Sequence, residues 1–355
     1  MAKKPLFEVK DVDRRFYEKY IAGWLPDRLV DIHTHVWLKR FKDRPVAGKS
    51  RTVAWPAMVA AENPAEHLLE TYRLMFPGKC VTPLIFASLT PDHFNAANSY
   101  IAQSSRRHNL PALLFSDPRW SAAELERRLK SGGFLGIKSY LTMAPAYLPT
   151  NEIRVFDFFP PHHLEVLNRR RGIVMLHVPR NDRLRDPVNL GQMLEIEERY
   201  PQLQLIVAHV GRAYCPEDIG DAFKVLAKTR RMCFDISANT NALAFQRLLE
   251  TVGPRRVLFG SDLPILRMRT RRICEKGFYI NLVPRGLYGD VKADAHLREV
   301  QGAEADKLTF FMYEELAAFG RAARAVRLNA SDIKNVFYNN ARRMLRRAGF
   351  DMLTT

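Results

Sequence analysis

Cysteine is scarce in this chain, and what there is does not cluster. Cys80, Cys215, Cys233 and Cys274 stand far apart with no C-x-x-C pair, which argues against a disulfide framework and against a cysteine zinc site. Reduced, mainly buried thiols are expected. Long apolar runs are missing too. No stretch approaches the roughly 20 residues that span a bilayer. The basic opening Met-Ala-Lys-Lys-Pro has no apolar h-region behind it, so neither a signal peptide nor a membrane anchor is read and the cytoplasm is the expected compartment. Acidic residues are in deficit: 38 Asp and Glu against 55 Lys and Arg leave a net charge of +17. That balance admits a nucleic acid, a membrane surface or an anionic small molecule without selecting among them. Disorder is excluded for most of the chain, because 47% hydrophobic and 10% aromatic residues supply a large core.

What is present is a repeat of short apolar runs. They fall at 28–33, 81–87, 110–115, 134–138, 173–177, 205–209, 232–236 and 257–262, with helix-length segments between them. Continuous rather than alternating apolar strands suit a parallel sheet covered on both faces. A doubly wound open sheet satisfies the same alternation, but a count of eight favours a (β/α)8 TIM barrel, which can use most of the 355 residues as one domain. The expected layout is an N-terminal extension over 1–27 and a single barrel domain over 28–355. Asn63-Pro64 reads as an N-cap followed by proline at the first helical position, and Pro77-Gly78 as that helix's stop. Three stretches exceed what a barrel needs: 36–62, rich in Lys39, Arg40, Lys42, Arg44, Lys49 and Arg51, then 139–161 and 263–305. All leave strand C-termini, so all are expected as long βα-loops over one mouth. Extra helices end the chain. In the last one Ile333, Val336, Phe337, Ala341, Met344 and Leu345 share a stripe, with Ser331 as N-cap and Gly349 beyond its end, and it is expected on the barrel's exterior.

The chemistry-bearing residues sit at strand ends. His33 and His35 in Asp-Ile-His-Thr-His share a strand face at i and i+2. Alone, such a pair is as well read as two hydrogen-bonded histidines. His177 ends the fifth run, His209 the sixth and Asp262 the eighth, and scattered core histidines would not share that position. Three or more imidazoles and a carboxylate suit one divalent metal ion, with Zn²⁺ foremost and Mn²⁺ or Fe²⁺ as alternatives. Asp262 could instead cap a helix ahead of Pro264.

D-I-H-T-H at 31–35, the His after the fifth strand, A-H-V-G at 208–211, G-S-D-L-P at 260–264 and V-F-Y-N-N-A-R-R-M-L near the end together resemble the amidohydrolase superfamily. The resemblance runs from about residue 29 to 347. It points to the branch that includes aminocarboxymuconate semialdehyde decarboxylase and several lactonases. It implies a metal-dependent barrel hydrolase in which His33, His35, His177 and Asp262 bind one divalent ion, with Asp262 and His209 catalytic. Asp262 would accept the proton of the attacking water, and His209 would polarise a carbonyl or assist proton transfer. In binuclear members a lysine at the fourth strand is carbamylated and bridges two metals; Lys138 takes that place here, or serves as an anion-binding ammonium.

Arg180 and Arg212 each follow a strand-end histidine by three residues. They are expected either to clamp a substrate carboxylate or to pair with loop acids such as Asp182 or Glu217. Many relatives carry a second glycine where Arg212 stands. Asp235 and Asn239 could line the pocket or point outward, and Tyr140, Trp37, His296 and Arg267 could close over a ligand. His162-His163 reads as an exposed helix start. The partner expected is a small anionic organic substrate, cut at a lactone, ester or amide bond, with decarboxylation by the same fold as the alternative. Neither nucleic acid nor membrane is expected, and a homo-oligomer stays open. Eight basic residues against Asp332 between 316 and 350 favour a solvated basic face over a nucleic-acid surface, since no recognition motif accompanies them.

Overall fold

A computed structural model describes residues 5–41, 51, 55–88 and 93–351. Lys42, Arg44 and Lys49 of the expected basic loop, and the first four residues, lie outside them. Eight parallel strands follow the expected order: β1 (Arg28–Val36), β2 (Cys80–Ala87), β3 (Leu114–Phe115), β4 (Gly136–Lys138), β5 (Ile173–Leu176), β6 (Gln204–Val207), β7 (Cys233–Asp235) and β8 (Val257–Leu258). β3 to β8 pair in sequence order and β1 pairs with β2. Bridges between Ile85 and Ala112 and between Thr34 and Leu263 join the two sets and close the ring. The chain is a (β/α)8 barrel.

Closure sorts the strand residues into two cores. Val30, Ile32, Leu84, Phe86, Ile173 and Met175 belong to the inner one, while Leu29, Val36, Ile85, Val174 and Leu176 pack outward against the helices. The last helix was expected outside and is only half so. Ile333, Val336 and Phe337 join the outer core, but Tyr338, Ala341, Met344 and Leu345 join the inner one. Asn340 Nδ2 donates to Val257 O and Gln204 Nε2 to Met344 O, so this helix plugs the end of the barrel where the strands begin. Its cap also differs: Asn329, not Ser331, accepts the Asp332 N–H. Asn63 likewise is not the cap of Ala65–Met75, a place taken by Pro64; its side chain donates to His35 O at 2.7 Å and fixes the end of β1. His163 is buried rather than exposed, and the Nε2 atoms of His162 and His163 both meet Trp120 O.

The third long loop is partly a sheet: β9 (Arg271–Glu275) pairs antiparallel with β10 (Phe278–Pro284), which pairs parallel with β11 (Leu297–Val300). Lys276 and Gly277, both at positive φ, make the two-residue turn that matches strand twist. Ahead of the barrel, the helix Asp11–Tyr17 is docked by Asp13, whose buried carboxylate takes both terminal nitrogens of Arg269. Among the described residues no helix is long and apolar enough to cross a membrane.

The expectation of four reduced thiols fails. Cys215 and Cys274 form a disulfide across 59 residues, tying the segment after β6 to β9, and only Cys80 and Cys233 are free. Spacing cannot reveal a bridge between segments that meet only in the folded barrel. A non-reducing digest with mass analysis is expected to return the Cys215 and Cys274 peptides joined and the other two cysteines alkylated; four alkylated thiols would be the contrary result.

Candidate active site

His33 and His35 face the barrel interior because β1 is bulged. Its register with β2 slips by one residue between Asp31 and Thr34, so the inward series Val30, Ile32 switches parity and continues as His33, His35. A bulge re-aims side chains in this way. The slip is anchored by Asp31, which accepts from His33 N, Ser261 N and the Tyr72 hydroxyl. Gly260 leaves room for the result, since a Cβ there would stand 2.9 Å from His33 Cβ.

Three side chains converge at this end of the cavity. His35 Nε2 lies 3.2 Å and His33 Nε2 3.6 Å from Asp262 Oδ1, and one ligand atom from each falls within 4.8 Å of the others. The far nitrogens are committed: His33 Nδ1–H donates to Asp235 Oδ2 at 2.8 Å and His35 Nδ1–H to Ala87 O at 3.1 Å. Each Nε2 therefore presents a lone pair. Burial holds His35 below its ordinary value, leaving it neutral. Burial works to raise Asp262, but the imidazoles of His35, His33 and His209 around it outweigh that and hold Asp262 below the ordinary carboxylate value. Electron pairs at this spacing repel unless a cation lies among them, and imidazole nitrogen with carboxylate oxygen is a donor set for a divalent metal. Asp262 is not a helix cap; its own backbone is left-handed at φ 58.

His177 continues the inward series of β5 but is not drawn into that trio. Its Nε2 meets the Tyr140 hydroxyl at 3.2 Å, its ring lies 5.4 Å from that of His209, and its Nδ1 is buried without a partner.

His209 opens a left-handed turn, with φ of 56, 49, 61 and 66 from His209 through Val210 and Gly211 to Arg212. Non-glycine residues held there cost about 1–3 kcal/mol each, so the surroundings must impose the turn. Asp235 Oδ1 accepts the His209 N–H, and Asn239 Nδ2 donates to Ala213 O. Gly211 is required, because a Cβ would come within 2.5 Å of Leu184. The turn swings the His209 ring to 4.8 Å from that of His33, with Nδ1–H on Ser237 O; burial pushes its pKa down to about 4. Asp235, His33 and His209 also lie close enough for a metal. Asp235 already accepts from the His209 and Ser237 amides and the Ser237 hydroxyl on Oδ1 and from His33 on Oδ2, which orients both histidines.

The cavity is about 700 Å³, and all three long loops line it, through Trp37, Arg51 and Trp55, then Tyr140 and Thr150, then Arg272, Tyr279 and His296. Arg51 donates to five carbonyls between Leu141 and Leu148, stitching the first two loops together. Lys138 is buried with Nζ over the Phe86 and Tyr140 rings; burial pushes its pKa down to about 8, against the pull of Asp262 and Asp235. Arg212 lines the cavity, with one nitrogen on the carbonyls of Val178, Pro179 and Arg180. It occupies a backbone position that favours glycine.

Arg180 is not in the lining. It pairs with Asp186, the cap of the helix Pro187–Arg199, a nearer acid than either expected one. Arg267 turns away to the Phe7 ring. Arg183 and Arg272 take up cavity positions that sequence reasoning did not assign. The placement of Asp235 at the end of its strand, like the histidines, was the signal available for its role; for the two arginines there was none.

Among solved structures, amidohydrolase 2 from Bifidobacterium longum subsp. infantis is similar over 90% of this chain and 99% of its own, at TM-score 0.54 and 16% identity. A probable 2-pyrone-4,6-dicarboxylic acid hydrolase from Acinetobacter baumannii, with citric acid bound, matches at TM-score 0.54 and 15% identity over 91% and 99%. A dihydroxybenzoic acid decarboxylase from Polaromonas sp. JS666, with manganese and 2-nitroresorcinol bound, matches at 0.53 and 14% over 90% and 97%. No match is found among curated protein sequences. The amidohydrolase family profile matches residues 30–347, nearly the whole barrel, and the chain therefore belongs to the amidohydrolase family, whose members are metal-dependent hydrolases and decarboxylases.

Proposed function

We propose that the chain hydrolyses a lactone, ester or amide bond of a small carboxylated substrate with the help of one divalent metal ion. The observation that supports this most is the meeting of two imidazole lone pairs with Asp262 Oδ1, with the remaining nitrogen of each ring already bonded. His33, His35 and Asp262 would hold the ion, and His177, which lines the same cavity, would complete the set. Zn²⁺ suits this set, with Mn²⁺ or Fe²⁺ as alternatives. A bound divalent ion supplies Lewis acidity and makes water nucleophilic near neutral pH.

The chain's own residues supply the rest. Asp262, held ionised, accepts the proton of the attacking water and returns it to the leaving group. His209 is neutral with its Nδ1–H on a carbonyl, so its Nε2 can only accept; it assists proton transfer rather than polarising the substrate carbonyl. Lys138 and Arg212 bring positive charge to the cavity wall and orient an anionic substrate.

Decarboxylation is the second reading, favoured by the aromatic acid decarboxylases of the same fold. Assays on carboxylated lactones and aromatic acids in ¹⁸O-labelled water, with metal analysis of the purified protein, test both. Label in the acid product with one metal equivalent supports hydrolysis. Carbon dioxide release without label assigns the lyase reaction. Two equivalents would implicate a carbamylated Lys138, and turnover unaffected by chelators would sink both readings.

A further inference from the structure

We propose that the end of the cavity beside β9 and β10 contains a second oxyanion subsite, made by Arg272 and Arg183 on the rings of Tyr214 and Tyr279, so that the substrate carries carboxylates at two ends. The inference rests on the reading of the cavity as the site for a small anionic substrate, and it adds a second pole to it.

Arg272 comes from β9 and is buried. Its Nε donates to Asn281 Oδ1 at 2.9 Å and its Nη1 to Ala238 O at 2.7 Å. Among the described residues its Nη2 has no hydrogen-bond partner and no carboxylate forms an ion pair with it, yet the residue lines the cavity. Its guanidinium carbon lies 4.4 Å from the Tyr279 ring and 4.8 Å from the Tyr214 ring. Arg183 stands against the same two rings at 5.2 and 5.3 Å, with its Nη1 on Asp218 at 2.7 Å. Among the described residues, two guanidiniums thus share one aromatic frame with a single carboxylate in contact. Burying like charges together is costly unless an anion joins them. Glu315 is the acid whose field reaches Arg272, but it makes no hydrogen bond to the guanidinium and burial raises its pKa well above the ordinary value. The positive charge is fixed by the scaffold before any ligand arrives, which is the condition for selective oxyanion binding.

The position sets the ligand's length. Tyr214 stands between the poles, its ring 6.3 Å from that of His209 on one side and against Arg272 on the other. A single ring or short chain with an acidic group at each end spans that interval, and Trp55, Tyr214 and Tyr279 offer it flat walls.

Calorimetric titration of the full chain, metal-loaded and chelator-treated, tests this with benzoate, the three benzenedicarboxylates and inorganic phosphate. At least one dicarboxylate is expected to bind about tenfold or more tightly than benzoate. Arg272→Gln should erase that advantage while changing benzoate affinity by less than about twofold. Three dicarboxylates no tighter than benzoate in the wild type would overturn the proposal whatever the variant does, as would an advantage that survives in Arg272→Gln. Phosphate binding tighter than any dicarboxylate would reassign the subsite to a phosphoryl group and overturn the carboxylate class. Failure of the metal reading shows separately, as protein that binds no ion and affinities identical with and without chelator.

Discussion

Asp262→Asn is expected to lower kcat/KM by about a thousandfold or more, equivalent to roughly 4 kcal/mol of transition-state stabilisation, while leaving the melting temperature within a few degrees of the wild type. The loss follows from what the carboxylate does. It is buried, its pKa lies below the ordinary carboxylate value, and one of its oxygens is the point where His33 and His35 meet. An amide of the same size has no charge to hold a cation and no basicity to take a proton. Survival of the fold follows from what the residue does not do. Among the described residues its side chain caps no helix and makes no ion pair with Lys or Arg, and its structural contribution is a backbone N–H to His33 O at 2.7 Å that Asn retains. Its left-handed φ is one that asparagine adopts readily. Steady-state kinetics beside a thermal melt reads both halves. Full activity in the folded variant would remove Asp262 from the reaction.

That residue was legible because a parallel barrel sends strand C-termini to one mouth, so polar residues ending apolar runs are neighbours in space although distant in the chain. The same rule located His33, His35, His177 and His209. It did not show that His33 faces inward only because of a bulge, or that His209 depends on a strained turn; both are set by tertiary contacts from Asp31, Asp235 and Asn239. Arg180 and Arg183 show where local reasoning stops. They lie three residues apart on one loop, and the order in which they meet Asp186 and the cavity is decided by the left-handed backbone at Arg183 and by the acid each finds. Arg272 alternates with exposed Arg271 on a strand that gains a buried face only once the barrel mouth is beneath it. The Cys215–Cys274 bridge depends on the same docking.

Asp235→Asn is expected to weaken metal binding by about ten- to a hundredfold although Asp235 is not proposed to touch the ion. Asp235 Oδ2 receives the Nδ1–H of His33, and that bond keeps the His33 Nε2 lone pair turned toward Asp262. In the variant the amide oxygen keeps the donors from His209 and Ser237, two of them fixed backbone amides, so the amide nitrogen must face His33. A donor then meets a donor. His33 escapes by moving its proton to Nε2, the atom the metal needs. Competition with a chromophoric chelator measures the affinity, and an unchanged constant would mean that Asp235 is merely a packed carboxylate. Acid stability gives a second readout. Burial works to raise Asp235, but His33, His209 and Ser237 hold it well below the ordinary value. A depressed native pKa contributes stability that is present above the unfolded value, near 3.9, and lost as pH falls toward the native one. Denaturation midpoints of the wild type should therefore drop more steeply below about pH 4 than those of Asp235→Asn, because the amide has no proton to take up.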